Sequence, residues 1–433
     1  MSNYSLNFRS KYAAGLSLGL CSLAFFMSSA HAIEVPQALA KQYQSAMEQR
    51  ASGDLYSSID ELNSLLSNNP SLHRARLELA VTYYRAAEYE EARRHAEEVL
   101  NDPNTPEGVR QTVELFLEQI ASLKQAENER RHSTQAFIGI GAGYDDNVNA
   151  GPGSDSFEVN GLRFFLNPED GDQSDAFASI SARFNHSYKM PGTVDIGSRP
   201  VRMLWQSGVS VYRKEYQDEH PYTVDVIGGS TGLALASSTN WRASMDFKLD
   251  YVRLGDDALA LYSSLNPTYT VVHGKSEYTL RGQWLYREYM ADDDKNREGD
   301  RVLFGLDYLR NFSANTAMKI GASLYEQDGR VDYEEFDVQD YYISGFWTAW
   351  EGGVLYLRAS YRETDYEGLE PVFNIGRSED ETRYVLGVSH NFKSGRMEGW
   401  GISGRITYSD NESNISIYEY DRTLFSAELT KRF

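Results

Sequence analysis

The segment WRASMDFKLDY, Trp241–Tyr251, alternates apolar and polar side chains along its whole length. The apolar set is Trp241, Ala243, Met245, Phe247, Leu249 and Tyr251. The polar set is Arg242, Ser244, Asp246, Lys248 and Asp250. Because successive side chains of a strand point to opposite faces, this pattern predicts one apolar and one polar face. A soluble sandwich would bury the apolar face, whereas a membrane barrel turns it to lipid and lines its lumen with the polar one.

The same design recurs toward the C-terminus, in the segments 278–287, 355–362 and 400–408. Counting such segments predicts a transmembrane antiparallel β-barrel of about 14 strands over residues 133–433, an even number as in bacterial single-chain barrels. Short and long connections alternate between the strands, and LGDDALA at 254–260 belongs to the long set. Outer-membrane barrels have short periplasmic turns and long extracellular loops. We therefore expect both the region before the barrel and the C-terminus to lie in the periplasm.

The N-terminus has the features of an export signal. Arg9 and Lys11 precede the apolar run Tyr12–Met27, and an A-x-A ending follows at Ala30–Ala32. This arrangement predicts a secretory signal peptide over residues 1–32. Cys21 lies inside the apolar run and is the only cysteine of the sequence, so disulfides and cysteine metal sites are excluded from the mature chain.

The overall composition narrows the class of protein. The formal net charge is -21, which argues against nucleic acid as a partner because phosphates would be repelled. Aromatic residues make up 13% of the chain and include 30 tyrosines, yet the mean hydropathy is -0.53. An aromatic-rich, acidic chain without long apolar blocks favours a bacterial outer-membrane barrel, whose membrane signal lies in alternation.

Residues 33–132 have a helical rather than an alternating pattern. Packing positions of a tetratricopeptide repeat are matched within 73–103 by Leu79, Ala80, Tyr83, Ala92, Ala96 and Val99. Leu55 and Tyr89 are 34 residues apart, and Pro70 and Pro103 are 33 apart, which is the period of this repeat. We predict a periplasmic helical repeat domain in which a third helical stretch, from Pro106 onward, serves as a cap. A generic stack of helical hairpins is the alternative.

The concave face of such a repeat would suit an extended peptide or a loop of a partner protein. On this pattern its candidate cargo-binding residues are Arg74, Leu77, Val81, Tyr84 and Arg85.

The polar face of the barrel strands carries four arginines that we predict to line the lumen, Arg242, Arg281, Arg358 and Arg405. They could steer an acidic cargo, or pair with lumen carboxylates such as Asp246 or Asp307 and hold the wall rigid. The adjacent His186 and Ser187 point to opposite faces of a strand and cannot act together as base and nucleophile. We predict no enzyme activity and assign no catalytic, cofactor-binding or metal-binding residue.

The segment GAGYDDNVNAGPG, residues 141–153, ends the first predicted strand. Asp145, Asn147 and Asn149 alternate like calcium-loop ligands, but Ala150 stands where an EF-hand loop needs glycine and Ser156 where it needs glutamate. We interpret the segment as a barrel-mouth motif whose side chains, with Tyr144 beside them, order the first long loop. At the other end of the barrel domain, the terminal Phe433 of an amphipathic strand resembles the signal read by the barrel-assembly machinery.

The architecture and the GYDDNVN stretch together resemble the surface lipoprotein assembly modulator family, the outer-membrane translocons of type XI secretion. The resemblance implies movement of specific cargo proteins to the cell surface or exterior, either surface lipoproteins or soluble proteins that often bind haem or metal carriers. No catalytic residue and no cofactor come with it. Alternatives are an exopolysaccharide export barrel with periplasmic repeats, and a passive porin or adhesin.

This interpretation also sets the expected partners. They are lipidated or soluble cargo proteins, outer-membrane lipids and lipopolysaccharide near the acid-rich loops, and the barrel-assembly machinery during insertion. We expect a monomeric barrel that binds no nucleic acid.

Overall fold

The computed structural model describes residues 37–86, 88–129, 131–154, 156–159, 162–167, 171–196, 199–237 and 240–433. The predicted signal peptide, residues 1–32, lies outside them. The chain divides between Ser122 and Leu123 into two compact units. The first is helical and the second is a β-barrel, as the sequence pattern predicts.

Five helices make up the described part of the first unit and its junction with the second. They are α1 (Gln37–Ser52), α2 (Leu55–Asn68), α3 (His73–Arg85), α4 (Tyr89–Leu100) and α5 (Glu107–Glu129). The turn between α1 and α2 needs Gly53, whose φ of +91° is disfavoured for other residues, and the Asp54 side chain caps α2 by accepting from the Ser57 amide. No helix among these residues is long and apolar enough to cross a membrane.

Small side chains let these helices approach closely. Ala46 and Ala75 pack with the leucines of α2 in one buried cluster, and Ala80, Ala96 and Val113 form a second one that includes α5. Five of the six packing positions predicted for the repeat are fully buried, and Tyr83 stacks at 5.5 Å on the ring of His95. The starts of α2 and α4 are Leu55 and Tyr89, so the repeat spacing of the sequence coincides with the helix boundaries.

The second unit is a closed antiparallel barrel of 14 strands, which confirms the predicted fold class. Its order follows the chain, and β1 closes the barrel by pairing with both β16 and β4. The strands are β1 (His132–Asp145), β4 (Asp175–Ile196), β5 (Arg199–Tyr216), β6 (Val224–Ser237), β7 (Trp241–Leu254), β8 (Asp257–His273), β9 (Ser276–Tyr289), β10 (Gly299–Asn311), β11 (Thr316–Gln327), β12 (Phe336–Trp350), β13 (Gly353–Leu369), β14 (Gly376–Asn391), β15 (Trp400–Ser413) and β16 (Tyr420–Arg432). A separate hairpin, β2 (Ser156–Val159) and β3 (Leu162–Phe165), lies within the first long loop.

The outside of the barrel is apolar. Met245 and Phe247 are 51% and 44% exposed, and most other strands show the same alternation of exposed apolar and half-buried polar positions. A wall with apolar side chains outward and polar ones inward is stable only when lipid surrounds it. The protein is therefore a transmembrane barrel of the outer-membrane type.

Connections at the two ends of the barrel differ in character. We call the end that carries the first loop, 146–174, the long-loop end, and the opposite end, where β1 starts and β16 finishes, the short-turn end. One predicted long loop is wrong, because β7 and β8 are joined by the tight turn Gly255–Asp256. Gly255 makes this turn possible with a φ of +57°, and the remainder of LGDDALA extends the two strands.

Candidate functional site at the long-loop end of the barrel

Asp145 forms the centre of a buried charged cluster where β1 reaches the long-loop end. The carboxylate is fully buried and accepts from Arg422 Nε at 2.7 Å, from the Tyr216 hydroxyl at 2.6 Å and from Lys214 Nζ at 3.1 Å. Arg422 Nη2 also donates to it, so the guanidinium contact is bidentate. We call these four residues the Asp145 cluster. It joins β1 to β16 on one side and, across β4, to β5 on the other.

Aromatic rings enclose the Asp145 cluster from inside the barrel. Lys214 Nζ lies 4.2 Å from the centroid of Phe177 and 4.3 Å from that of Tyr216. A Cβ at position 143 would lie 2.2 Å from the main-chain carbonyl oxygen of Phe425 and 2.3 Å from the Phe177 ring, which explains glycine there. Removal of water strengthens each charged contact of the cluster and makes an unpaired charge there costly.

Asn147 and Asn149 hold the start of the first loop through backbone bonds. Asn147 donates to the carbonyls of Gly151 and Asp421 and accepts from the Gly151 amide, at 2.8 to 3.0 Å. Asn149 donates to the Gly171 carbonyl and accepts from the Gln173 amide, so it joins the two ends of the loop. Ala150 between them has a φ of +51°, a left-handed conformation that these bonds keep in place.

The loop turns into the barrel rather than away from it. Val148 is buried against the inward-facing wall side chains Phe177, Tyr216 and Leu424, and against Tyr222 in the loop between β5 and β6. Farther along, the Phe157 ring of the β2–β3 hairpin lies 5.8 Å from that of Phe373, in the loop between β13 and β14. The first loop thus contacts both its own strands and a loop three strands from β1. Tyr144, by contrast, is 46% exposed on the outer face.

The four predicted lumen arginines alternate with exposed apolar residues and so point inward, but they have different partners. Arg242 forms an ion pair with Glu277 at 2.5 Å, and Arg281 forms one with Asp307 at 2.9 Å. Asp307 also binds Lys319 and the hydroxyl of Tyr342. Arg358 and Arg405 lie over the rings of Tyr342 and Tyr356. These contacts tie neighbouring strands together, which favours the rigid-wall interpretation for Arg242 and Arg281.

The predicted concave face of the helical unit is partly occupied by α5. Gln119 donates to the Tyr84 hydroxyl at 2.8 Å, the Phe116 ring packs against Tyr84 at 5.3 Å, and burial raises the pKa of Tyr84. Leu77 packs in the same α5 cluster, and Val81 is half-buried. Arg74 and Arg85, both on α3, remain exposed. A partner binding here would meet these two arginines first.

Two further predicted positions lie at the short-turn end. His186 stacks on His132 with ring nitrogens 2.9 Å apart, and Ser187 faces the opposite side of β4. Phe433 exchanges backbone bonds with Ala136, and its side chain is 67% exposed. Among the described residues no group of three histidine, cysteine, aspartate or glutamate side chains is arranged to hold a metal ion.

Sequence reasoning found Asp145 but missed the three residues that bind it. Tyr216 and Lys214 stand at the inner face near the end of β5, and Arg422 stands near the start of β16. For Lys214 and Arg422 the signal was a basic residue at an inward position close to a long loop; Tyr216 gave no such signal. The partners could be assigned only once the register of β1 against β16 was known.

Comparison with solved structures gives outer-membrane proteins at low similarity. A loop-deletion variant of OmpT from Vibrio cholerae matches with a TM-score of 0.38 and 10% identity, covering 70% of this chain and 100% of that one. OccAB4 of Acinetobacter baumannii matches with a TM-score of 0.34 and 9% identity, covering 70% of this chain and 99% of that one. OccK8 (OprE) of Pseudomonas aeruginosa matches with a TM-score of 0.33 and 8% identity, covering 70% of this chain and 98% of that one. No family model and no curated protein sequence matches the chain.

Proposed function

We propose that this barrel is an outer-membrane translocon that moves specific cargo proteins from the periplasm to the cell surface or exterior. The cargo would be surface lipoproteins or secreted proteins, including haem- and metal-acquisition proteins. Transport proceeds without nucleotide hydrolysis, because the periplasm holds no ATP. The proposal extends the resemblance to the surface lipoprotein assembly modulators and places the helical unit, a tetratricopeptide-like domain, in the periplasm.

The observation that carries the proposal is the way the GYDDNVN motif organises the first loop. Asp145 anchors the loop, Asn147 fixes its start, Asn149 joins its two ends, and Val148 packs against the inner wall. A translocon must stay closed until cargo engages it, and an ordered inward-turning loop supplies a part that can be displaced.

The helical unit supports a role in handling cargo on the periplasmic side. Its two helix pairs and α5 form too short an array for the long periplasmic repeats typical of polysaccharide exporters. Its exposed Arg74 and Arg85 would receive an acidic segment of a polypeptide.

Deletion of the gene in the source bacterium tests the proposal directly. We expect one or a few proteins to disappear from the surface or the culture fluid and to accumulate in the periplasm, with restoration by the wild-type gene. Unchanged surface and secreted proteomes would contradict a translocon. Single-channel recording of the purified full chain addresses the passive porin: a closed resting state supports the translocon, and steady conductance supports a porin.

A further inference from the structure

A second charged cluster on the inner wall differs from the Asp145 cluster because it lacks acidic partners. Arg287 on β9 and Arg301 on β10 both point inward near the long-loop end. In the register of the two strands Arg301 lies opposite Leu285, which places it one diagonal step from Arg287.

The partners of these arginines are neutral. Arg301 Nε donates at 2.9 Å to the amide oxygen of Gln327, and its guanidinium lies 4.6 Å from the Tyr325 ring centroid. Arg287 is 9% exposed and donates to the main-chain carbonyl of Arg297. Among the described residues neither Arg287 nor Arg301 forms an ion pair. The Nε of Arg287 is buried without a hydrogen-bond partner. Arg362 on β13, by contrast, forms an ion pair with Asp340 at 3.4 Å and is not part of this cluster.

The surroundings hold the arginines in place. Gln327 is fully buried, and its amide nitrogen donates to the carbonyls of Asp300 and Asp328, so its oxygen is oriented toward Arg301. Tyr262 lies directly opposite Arg287 in the sheet and packs edge-on against Tyr289 at 6.4 Å. Two cations are thus held next to each other beside the rings of Tyr289 and Tyr325.

Such an arrangement is costly unless an anion completes it. A buried charge without a counter-charge destabilises a fold by several kcal/mol, and adjacent like charges add to that cost. Arginine cannot avoid this cost by losing its proton, because the guanidinium stays protonated in proteins. The planar guanidinium matches the two oxygens of a carboxylate, with which it forms paired charge-assisted bonds.

We propose that Arg287 and Arg301, with the tyrosines Tyr262, Tyr289 and Tyr325, form a binding site for a carboxylate on the inner wall of the barrel. The carboxylate belongs to a small organic acid or to an acidic residue of a polypeptide inside the lumen. The site does not depend on the proposed function, since a porin and a translocon could both use it.

The test is calorimetric titration of the detergent-solubilised full chain at low, constant ionic strength. One arm uses succinate and the other a C-terminally amidated hexaglutamate peptide, which distinguishes a small acid from a polypeptide. We expect Arg287→Gln and Arg301→Gln each to weaken binding by roughly tenfold or more, the effect of losing charge-assisted bonds. Arg242→Gln is the matched control, because Glu277 already neutralises that arginine, and its affinity should change less than about twofold.

Binding of succinate alone, the peptide alone or both supports the site. The arm that binds shows whether the carboxylate comes from a small organic acid or from a polypeptide. Absence of binding in both arms, or an equal loss in Arg242→Gln, overturns it. A second readout is thermal unfolding. Without ligand, Arg301→Gln should melt no lower than the wild type, and succinate should raise the midpoint of the wild type only. A lower midpoint that succinate raises equally would assign Arg301 a structural role and contradict the proposal.

Folding of each variant is checked by the mobility difference between heated and unheated samples on electrophoresis. If a glutamine variant fails to fold, Arg301→Lys decides, because it keeps the charge and loses the planar fork. Weakened binding by Arg301→Lys supports the site, and unchanged affinity contradicts it.

Discussion

Two charged clusters lie on the inner wall near the long-loop end, and they solve the problem of buried charge differently. In the Asp145 cluster one carboxylate accepts from Arg422, Lys214 and Tyr216. In the other cluster Arg287 and Arg301 contact only neutral groups among the described residues. Both cations of the first cluster contact a carboxylate of the chain, whereas Arg287 and Arg301 have no carboxylate partner among the described residues and leave positive charge for a ligand to neutralise.

His95 in the helical unit shows a third way to avoid a buried charge, which is to remain neutral. It is 4% exposed, and its pKa is lowered to about 4, first by burial and then by the charge of Arg94. Histidine can stay neutral at pH 7 and so avoid the cost of a buried charge. Arginine cannot, so a buried arginine needs an anion from the chain or from outside. The partner of each buried polar group therefore indicates whether it serves the fold or awaits a ligand.

The largest expected effect comes from Asp145→Asn. This change removes the fully buried carboxylate and leaves the half-buried Lys214 and Arg422 without a counter-charge, and breaking a buried pair in this way costs roughly 3–5 kcal/mol. The loss should appear as faster hydrogen exchange across residues 146–174 and as cleavage of this loop by protease. Glu277→Gln is the matched control. It breaks the partly exposed pair with Arg242, should cost about 1 kcal/mol or less, and should leave the first loop protected.

Unchanged exchange of the first loop in Asp145→Asn would show that the Asp145 cluster does not hold it. If secretion by this variant were also unchanged, the GYDDNVN motif would be a sequence feature without a role in loop order or transport.

The pH dependence of the helical unit gives the second prediction. The pKa of His95 is about 4 in the fold and about 6.5 in the unfolded chain, so the unfolded state binds the proton more readily. The contribution of neutral His95 to the free energy of unfolding is therefore fully present above pH 6.5. It falls by about 3 kcal/mol as the pH drops toward 4. The charged and titratable groups that face His95 are Arg94, Glu91 and Glu98 on α4, and Arg76 and Tyr83 on α3.

The measurement is urea unfolding of the helices in the full chain, followed by circular dichroism at several pH values. His95→Leu removes the titrating group and should flatten the slope between pH 6.5 and 4. An equal slope in the variant would assign the pH dependence to the carboxylates of this unit instead.

The sequence predicted the fold well because the fold depends on local periodicity. The alternation in Trp241–Tyr251 identified the outward and inward faces, and the 34-residue spacing of Leu55 and Tyr89 matched the starts of two helices. The tight turn at Gly255 was missed because the acidic residues after it resemble a loop. Nothing in the spacing of 146–174 indicated that its middle would form a hairpin.

The candidate site was less predictable, because its contacts join residues far apart in the chain. Asp145 pairs across the closing seam with Leu424, which brings Arg422 to it. Arg242 pairs with Glu277 two strands along rather than with Asp246 on its own strand. Neutral partners such as Gln327 beside Arg301 leave no mark in composition or charge pattern.

Asn147→Ala gives the third prediction. It tests how much the uncharged hydrogen bonds of Asn147 hold the first loop, compared with the charged contacts of Asp145. The change removes the bonds to Gly151 and Asp421 and should cost about 2 kcal/mol, less than loss of the Asp145 carboxylate. Faster exchange should be confined to the start of the first loop. Asn414→Ala is the matched control: Asn414 makes similar bonds to Gly376 and Ser378 at an exposed loop, and its loss should leave the Gly151 amide protected.

The smallest expected effect separates folding from binding in the helical unit. Tyr84→Phe removes one neutral hydrogen bond with Gln119 and should lower the stability of the helices by about 1 kcal/mol. Arg85→Ala removes an exposed charge and should change stability by less than about 0.5 kcal/mol. If the predicted cargo face is correct, cargo captured on the full chain should fall with Arg85→Ala and remain nearly constant with Tyr84→Phe. The reverse pattern would mean that cargo needs the intact packing of α5 rather than the exposed arginine, and no change in either variant would exclude this helix face as the binding surface.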